Sequence, residues 1–229
     1  TGSDNIAIGS NALNTQTTPT GEVAIGHEAL KAASSAGYNV AVGYQAGVAV
    51  TSAVGVVLMG FEAGQAITTG DTNICIGGFS MDGGAGKTAY GCTHVGHAGQ
   101  RTGTSGNFND SFGIDAYKNP TTGNSNVCLG SGSGNVITSG SSNSLVGRTA
   151  GVAISTGSFN SCLGIVAGST ITTGSRNLCL GYDAGTSGSP NHITTGDNAI
   201  VLGNNATASA HIRVDWTVTS DKRDKTDIE

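Results

Sequence analysis

Short apolar runs alternate with polar stretches along most of the chain, and each run ends on a glycine. Typical runs are "NIAIG" at residues 5–9 and "NLCLG" at residues 177–181. Nine of the eleven spacings between closing glycines are 17 residues, and the other two are 19 and 22. Twelve copies at one period predict a repeat architecture, in which each unit buries its apolar surface against its neighbours. The closing glycines are Gly9, Gly26, Gly43, Gly60, Gly77, Gly96, Gly113, Gly130, Gly147, Gly164, Gly181 and Gly203.

Each run has the alternation of a β-strand. The residue before the closing glycine is apolar in every copy, and the residue two positions earlier is Val, Ile or Leu in eight copies. These positions share one face of a strand, and we expect them to fill the inside of each coil. The residue between them is Ala, Ser or Cys in eight copies, so we expect it to lie against a second subunit. The prediction is an all-β fold, a parallel β-roll or β-solenoid of about twelve 17-residue repeats over residues 1–203, assembled as a homotrimer.

Asparagine stands four residues before the closing glycine in eight copies. Stacking in register would align these side chains into a hydrogen-bonded ladder with steps of about 4.8 Å. The closing glycine is expected to adopt a turn conformation with positive φ. The phrase "ITTG" at residues 67–70, 171–174 and 193–196 marks a second corner. We therefore expect two short strands and two polar corners in each coil.

Composition narrows the class of protein. The chain has 38 Gly, 3 Pro and 11% charged residues, yet 37% of its residues are hydrophobic. Apolar residues at regular intervals favour an ordered structure over a low-complexity tract. The formal charge of −5 gives no indication of nucleic acid as a partner. No apolar stretch approaches about 18 residues, so no membrane insertion is expected.

Three features are candidates for a cofactor or metal site. "GGAGKT" at residues 83–88 resembles a phosphate loop, but Met81 stands where the motif requires its first glycine. His94 and His97 lie near Cys92 without a second ligand pair at zinc spacing. The five cysteines are expected to be buried free thiols. No cofactor and no metal are therefore predicted.

The repeats resemble a known family of trimeric proteins. The phrases "NIAIGSNAL" at Asn5 and "NVAVGYQAG" at Asn39 are similar to the head repeats of trimeric autotransporter adhesins. The subunits of those adhesins are parallel β-rolls packed as a trimer. The resemblance implies that this chain also forms a homotrimer.

The C-terminal residues carry a second resemblance. Alternation predicts a connector strand within residues 204–219. "WTVTSDKRDKTDI" is similar to the junction that precedes the intramolecular chaperone auto-processing domain of phage tail spikes and tail fibres. The resemblance implies that residues 220–229 begin that domain. It further implies cleavage between Ser220 and Asp221, with Ser220 as the nucleophile and Lys225 assisting it.

These features favour a structural and receptor-binding tail fibre or spike in a bacteriophage virion. Its expected partners are a host receptor, either a glycan or an outer-surface protein, and other tail proteins. The irregular segment 78–101 is the predicted receptor contact, and no turnover enzyme is predicted beyond possible self-cleavage. The alternative is the head of a bacterial trimeric adhesin. An acyltransferase with a left-handed β-helix has a six-residue period that is absent here, and a polysaccharide-degrading spike lacks recurring paired carboxylates.

Overall fold

Twelve strands of three residues each pair in chain order into one parallel β-sheet that is wound as a solenoid. The computed structural model describes residues 2–15, 18–83, 86–101 and 105–208. The predicted all-β solenoid is confirmed. The strands are β1 (Ile6–Ile8), β2 (Val23–Ile25), β3 (Val40–Val42), β4 (Val57–Met59), β5 (Ile74–Ile76), β6 (Thr93–Val95), β7 (Asp110–Phe112), β8 (Val127–Leu129), β9 (Ser144–Val146), β10 (Ser161–Leu163), β11 (Leu178–Leu180) and β12 (Ile200–Leu202).

The strands stack in register, with each residue opposite its counterpart in the next repeat. Ala24 of β2, for example, pairs with Ala41 of β3. The two longer spacings keep this register, because β5 pairs with β6 and β11 pairs with β12 without a shift. The inserted residues therefore lengthen only the connections between strands.

The expectation of two short strands in each coil is wrong, because the described turns contain one strand each. The "ITTG" corner is held by hydroxyl groups, as where the Thr51 Oγ1 donates to the Thr68 carbonyl at 3.2 Å. Equivalent bonds recur in later turns. Beyond this corner, isolated bridges form, such as that between Thr20 and Gly37. The extended backbone ends there because the next residue is left-handed, as in Tyr38 with a φ of 59°.

The closing glycines turn the chain out of each strand. Their φ angles lie between 112° and 142° from Gly9 to Gly181, which confirms the predicted positive φ. A Cβ on Gly43 would lie only 2.2 Å from the Gly60 carbonyl oxygen of the next turn. Glycine is therefore required both by the backbone angle and by the close approach of the next turn.

The predicted ladder of asparagine side chains is confirmed inside the solenoid. The Asn126 Nδ2 donates to the Asn109 Oδ1 at 3.1 Å, and Asn143, Asn160 and Asn177 repeat this bond. Each of these four Nδ2 atoms also donates to a carbonyl of the following turn. Four copies carry another residue at this place, namely Glu22, Val56, Cys92 and Ala199.

The apolar core is a thin column in two parts. One part extends from Leu13 to Cys92, and the other extends from Ala116 to Val201. The middle residue of each strand from β2 to β12 points into this column and is buried. The two parts are separated at the turns that hold residues 94–111.

Candidate functional site

Large apolar side chains cover the outward face of the sheet, which comprises the first and third residues of β1 to β12. In β11, Cys179 is fully buried, whereas Leu178 and Leu180 are 37% and 42% exposed. In β10, Cys162 points inward and Leu163 is 50% exposed. The expectation that large residues fill the coil and small residues face a partner is therefore wrong, because the two faces are exchanged. A coil of 17 residues is narrow. A small inward strand residue such as Cys162 therefore leaves room for a large side chain from the opposite side of the coil, such as Ile171.

The outward face is unusual for a parallel sheet. Both faces of parallel sheets are normally covered, and large exposed apolar patches mark interaction surfaces. Asp110 is the one charged residue among the outward positions of these twelve strands. This face is therefore the candidate functional site. Its large apolar side chains with more than a third of their surface exposed are Ile6, Ile8, Met59, Ile74, Ile76, Phe112, Leu163, Leu178, Leu180, Ile200 and Leu202.

The two columns of the outward face differ in polarity. The third residue of every strand is apolar, whereas the first residue is polar in four strands. The Asp110 carboxylate is held within this first column, where it accepts a hydrogen bond from the Thr93 backbone at 3.1 Å. The four polar residues of the first column are Thr93, Asp110, Ser144 and Ser161. The third column is therefore the unbroken apolar stripe.

A row of aromatic rings borders this stripe on the turns that follow β2 to β6. His27, Tyr44 and Phe61 stack face to face, with ring centroids 5.1 and 5.2 Å apart. Phe79 and His97 continue the row edge-on at 5.2 and 5.4 Å. Because the rings pack on one another, the row stabilises this edge and widens its apolar surface.

A buried polar cluster lies in the segment that was predicted to contact a receptor. His94 contacts the Ser111 hydroxyl through Nδ1 and the Gln100 side-chain carbonyl through Nε2. The Gln100 amide nitrogen donates to the Gly106 carbonyl at 3.4 Å, so its oxygen faces the histidine. His94 Nε2 therefore carries the ring proton, and Nδ1 accepts from Ser111. Burial lowers the pKa of His94 to about 4, which keeps the ring neutral.

Lys87 is fully buried beside this cluster. Its Nζ donates to the carbonyls of Gln100 and Arg101 at 2.8 and 3.0 Å, and burial lowers its pKa to about 8. The lysine amine of "GGAGKT" therefore hydrogen-bonds to backbone carbonyls inside the solenoid and does not project from a phosphate loop. Tyr90 and His97 are exposed on the same segment, which otherwise continues the coil as β6.

The cysteines are buried and free, as predicted. Burial raises the pKa of the Cys75 thiol to about 12, so this side chain acts as a small apolar residue. Cys92 stands apart from the inward strand positions, at the ladder place, and its Sγ donates to the Gly106 carbonyl at 3.4 Å. Within residues 2–15, 18–83, 86–101 and 105–208, no group of three or more His, Cys, Asp or Glu side chains is placed to hold a metal ion.

The predicted cleavage site lies outside the described residues. Ser220, Asp221 and Lys225 all follow residue 208, where the described part of the chain ends. The predicted domain start at 220–229 is therefore untested. The predicted connector at 204–219 is described only as far as residue 208.

Comparison with known proteins identified no relative. No protein-family model, curated protein or solved structure matches the chain. The described part of the chain also holds no helix of the length and hydropathy needed to cross a membrane.

Proposed function

We propose that this chain is a structural fibre segment that assembles as a parallel homotrimer through the outward face of its sheet. The observation that supports this proposal is the third column of the sheet, which is apolar in all twelve strands and lies at the surface of the single chain. Covering this column removes apolar surface from water, which is the main driving force for association. In this proposal, each chain is stabilised by the other two copies as well as by its own thin core.

A second copy of the chain is the partner that fits this face best. The face repeats at each step of the sheet, and a parallel copy has the same step. Because Asp110 is its one charged outward residue, the face offers little to a charged partner. Because four residues of the first column are polar, the proposed contact is centred on the third column, with Ser144 and Ser161 nearer the solvent.

Charge substitution on one turn tests this interface. We expect Leu163→Glu to break the trimer into monomers, because it places three carboxylates in an apolar contact. Phe159→Glu is the matched control, since Phe159 is 57% exposed on the same turn but lies before the strand. Sedimentation equilibrium should show a trimer for the control and for the unmutated chain. Equal effects of both substitutions would show that the strand face is not the contact.

We further propose that the fibre belongs to a bacteriophage tail and is matured by self-cleavage between Ser220 and Asp221. The sequence "TSDKRDKTDI" supports this assignment. A serine hydroxyl becomes a nucleophile when a neutral lysine takes its proton, which is the role proposed for Lys225. The Ser220 oxygen of one chain would then attack the Ser220 carbonyl carbon of a neighbouring chain, the Asp221 amine would leave with the proton, and water would hydrolyse the ester. Mass spectrometry of the full gene product should find the cut after Ser220, and Ser220→Ala or Lys225→Ala should leave the chain intact. A cut elsewhere would overturn the residue assignment.

Host binding is assigned to the segment 78–101, through its exposed Tyr90 and His97. The proposed receptor is a glycan or an outer-surface protein. The other proposed partners are further tail proteins of the virion. Tyr90→Ala should weaken binding of the assembled fibre to host cells without changing its mass. Unchanged binding would place the receptor contact elsewhere.

The alternative function is the head of a bacterial trimeric adhesin, which the phrase "NIAIGSNAL" supports. Both functions require the same lateral assembly. The gene sequence after Glu229 distinguishes them, since a chaperone domain supports the phage assignment and a coiled-coil stalk with a membrane anchor supports the adhesin.

A further inference from the structure

Glu22 occupies a place in the asparagine ladder, and its side chain is fully buried. The Glu22 backbone N–H donates to the Asn5 Oδ1 at 2.8 Å, as the ladder asparagines do in later turns. Its carboxyl oxygen Oε1 accepts from the Asn39 Nδ2 at 3.1 Å, and the Asn39 backbone N–H also bonds the carboxyl group. The Glu22 Oε1 therefore accepts the hydrogen bond that an asparagine Oδ1 accepts in the later turns of the ladder.

The other carboxyl oxygen of Glu22, Oε2, is buried without a hydrogen-bond partner. In the asparagine copies, the second polar atom of the side chain is Nδ2, which donates to oxygen acceptors in the adjacent turns. An ionised carboxylate only accepts hydrogen bonds, whereas a protonated carboxyl group can donate one. A buried oxygen without a donor is costly when it carries charge, so the place of Oε2 favours the neutral carboxyl group over the carboxylate.

The charged groups of the neighbouring turns do not compensate a negative charge at Glu22. Asp4 is exposed, and Lys31 pairs with Glu28 at 2.7 Å near the surface. None of the ion pairs among the described residues includes Glu22. Burial raises the pKa of Glu22 to about 7, and the hydrogen bonds from Asn39 oppose this effect only in part.

We propose that Glu22 is protonated, and therefore uncharged, in the folded chain and makes the first three turns sensitive to pH. The folded-state pKa of this carboxyl lies above its unfolded value. Its contribution to stability is therefore fully present below about pH 4.5 and is lost as the pH rises through about 7. The later turns, which hold asparagine from Asn109 to Asn177, have no such group in the ladder.

Hydrogen exchange of the full chain at pH 5 and pH 8, corrected for intrinsic exchange rates, tests this proposal. We expect protection of residues 23–42 to fall on the order of a hundredfold at pH 8, while protection of residues 126–177 stays constant. Glu22→Gln replaces the carboxyl group with an amide that stays uncharged, and should keep residues 23–42 protected at both pH values. The control Glu62→Gln should retain the pH dependence of the unmutated chain.

Equal protection of residues 23–42 at both pH values in the unmutated chain would overturn the proposal. A pH dependence that survives Glu22→Gln would overturn it as well. If Glu22→Gln fails to fold, the carboxyl carbon of Glu22 in the unmutated chain is titrated by NMR. A titration midpoint near 7 supports a protonated Glu22, and a midpoint below 5 contradicts it.

Discussion

From Gly9 to Gly181, each closing glycine meets two demands at once, a positive φ and contact with the backbone of the next turn. Gly147 illustrates both, since its φ is 135° and an added Cβ would lie 2.3 Å from the Gly164 carbonyl oxygen. The contact cannot be relieved by rotating a side chain, because the neighbouring atom belongs to the backbone. The glycine column therefore fixes how closely successive turns stack.

Replacing Gly147 with alanine should destabilise the chain by about 3 kcal/mol or more. Gly196→Ala is the matched control, because a Cβ added to Gly196 would have no other atom within 4 Å, and it should change stability little. Urea unfolding followed by circular dichroism measures both. Similar midpoints for the two variants would contradict the account of the glycine column.

Single residues differ in how well the sequence predicted them. The closing glycines and the asparagine ladder were predictable, because the glycine recurs at a fixed place in all twelve copies and the asparagine in eight. The contacts of Lys87, His94 and Gln100 were not predictable, because each residue is unique to its turn. Their polar side chains gave no indication that insertion of two residues would bring them together inside the core.

In several of the described turns, two positions share one space in the core. In five turns, the fourth residue after the closing glycine is Gly and the seventh is Val or Ile, as in Gly151 and Ile154. After β2 the sizes are reversed, with Leu30 at the fourth place and Ala33 at the seventh. A Cβ on Gly151 would lie 2.8 Å from the Ile154 Cδ1, so one position can be large only where the other is small.

Placing the small residue at position 30 and the large residue at position 33, as in the later turns, should preserve the core after β2. Leu30→Gly alone should cost about 2–4 kcal/mol by leaving a cavity, and Ala33→Ile alone should cost about 1–3 kcal/mol by overfilling. The double variant should recover most of this loss, because isoleucine then fills the vacated space. Urea unfolding of all four chains gives the coupling free energy. Additive losses would refute the idea of a shared space.

The elements were predicted correctly in position and register but not in orientation. The 17-residue period fixed where the strands lie, since twelve copies give the same spacing. The alternation of large and small residues, as in Leu178, Cys179 and Leu180, cannot by itself distinguish inside from outside when both faces are apolar. The second strand was predicted from "ITTG" although left-handed residues such as Tyr38 interrupt the backbone beyond it.

At the scale of the whole molecule, repetition turns one outward residue per turn into a continuous surface. The third residue of each strand adds to one apolar column that runs from Ile8 to Leu202. The core beneath it is thin and is interrupted near His94, so it offers few large buried side chains to hold the rod together. We therefore propose that lateral association through this column stabilises the folded chain.

The molecular mass of the unmutated chain in solution is the direct test of this proposed association. One chain has a mass of 22.5 kDa, and sedimentation equilibrium at micromolar concentration should give three times this value. The trimer should persist on dilution, because the proposed contact would extend over the length of the sheet. A mass of one chain under these conditions would contradict the claim that the outward face is an interface between copies.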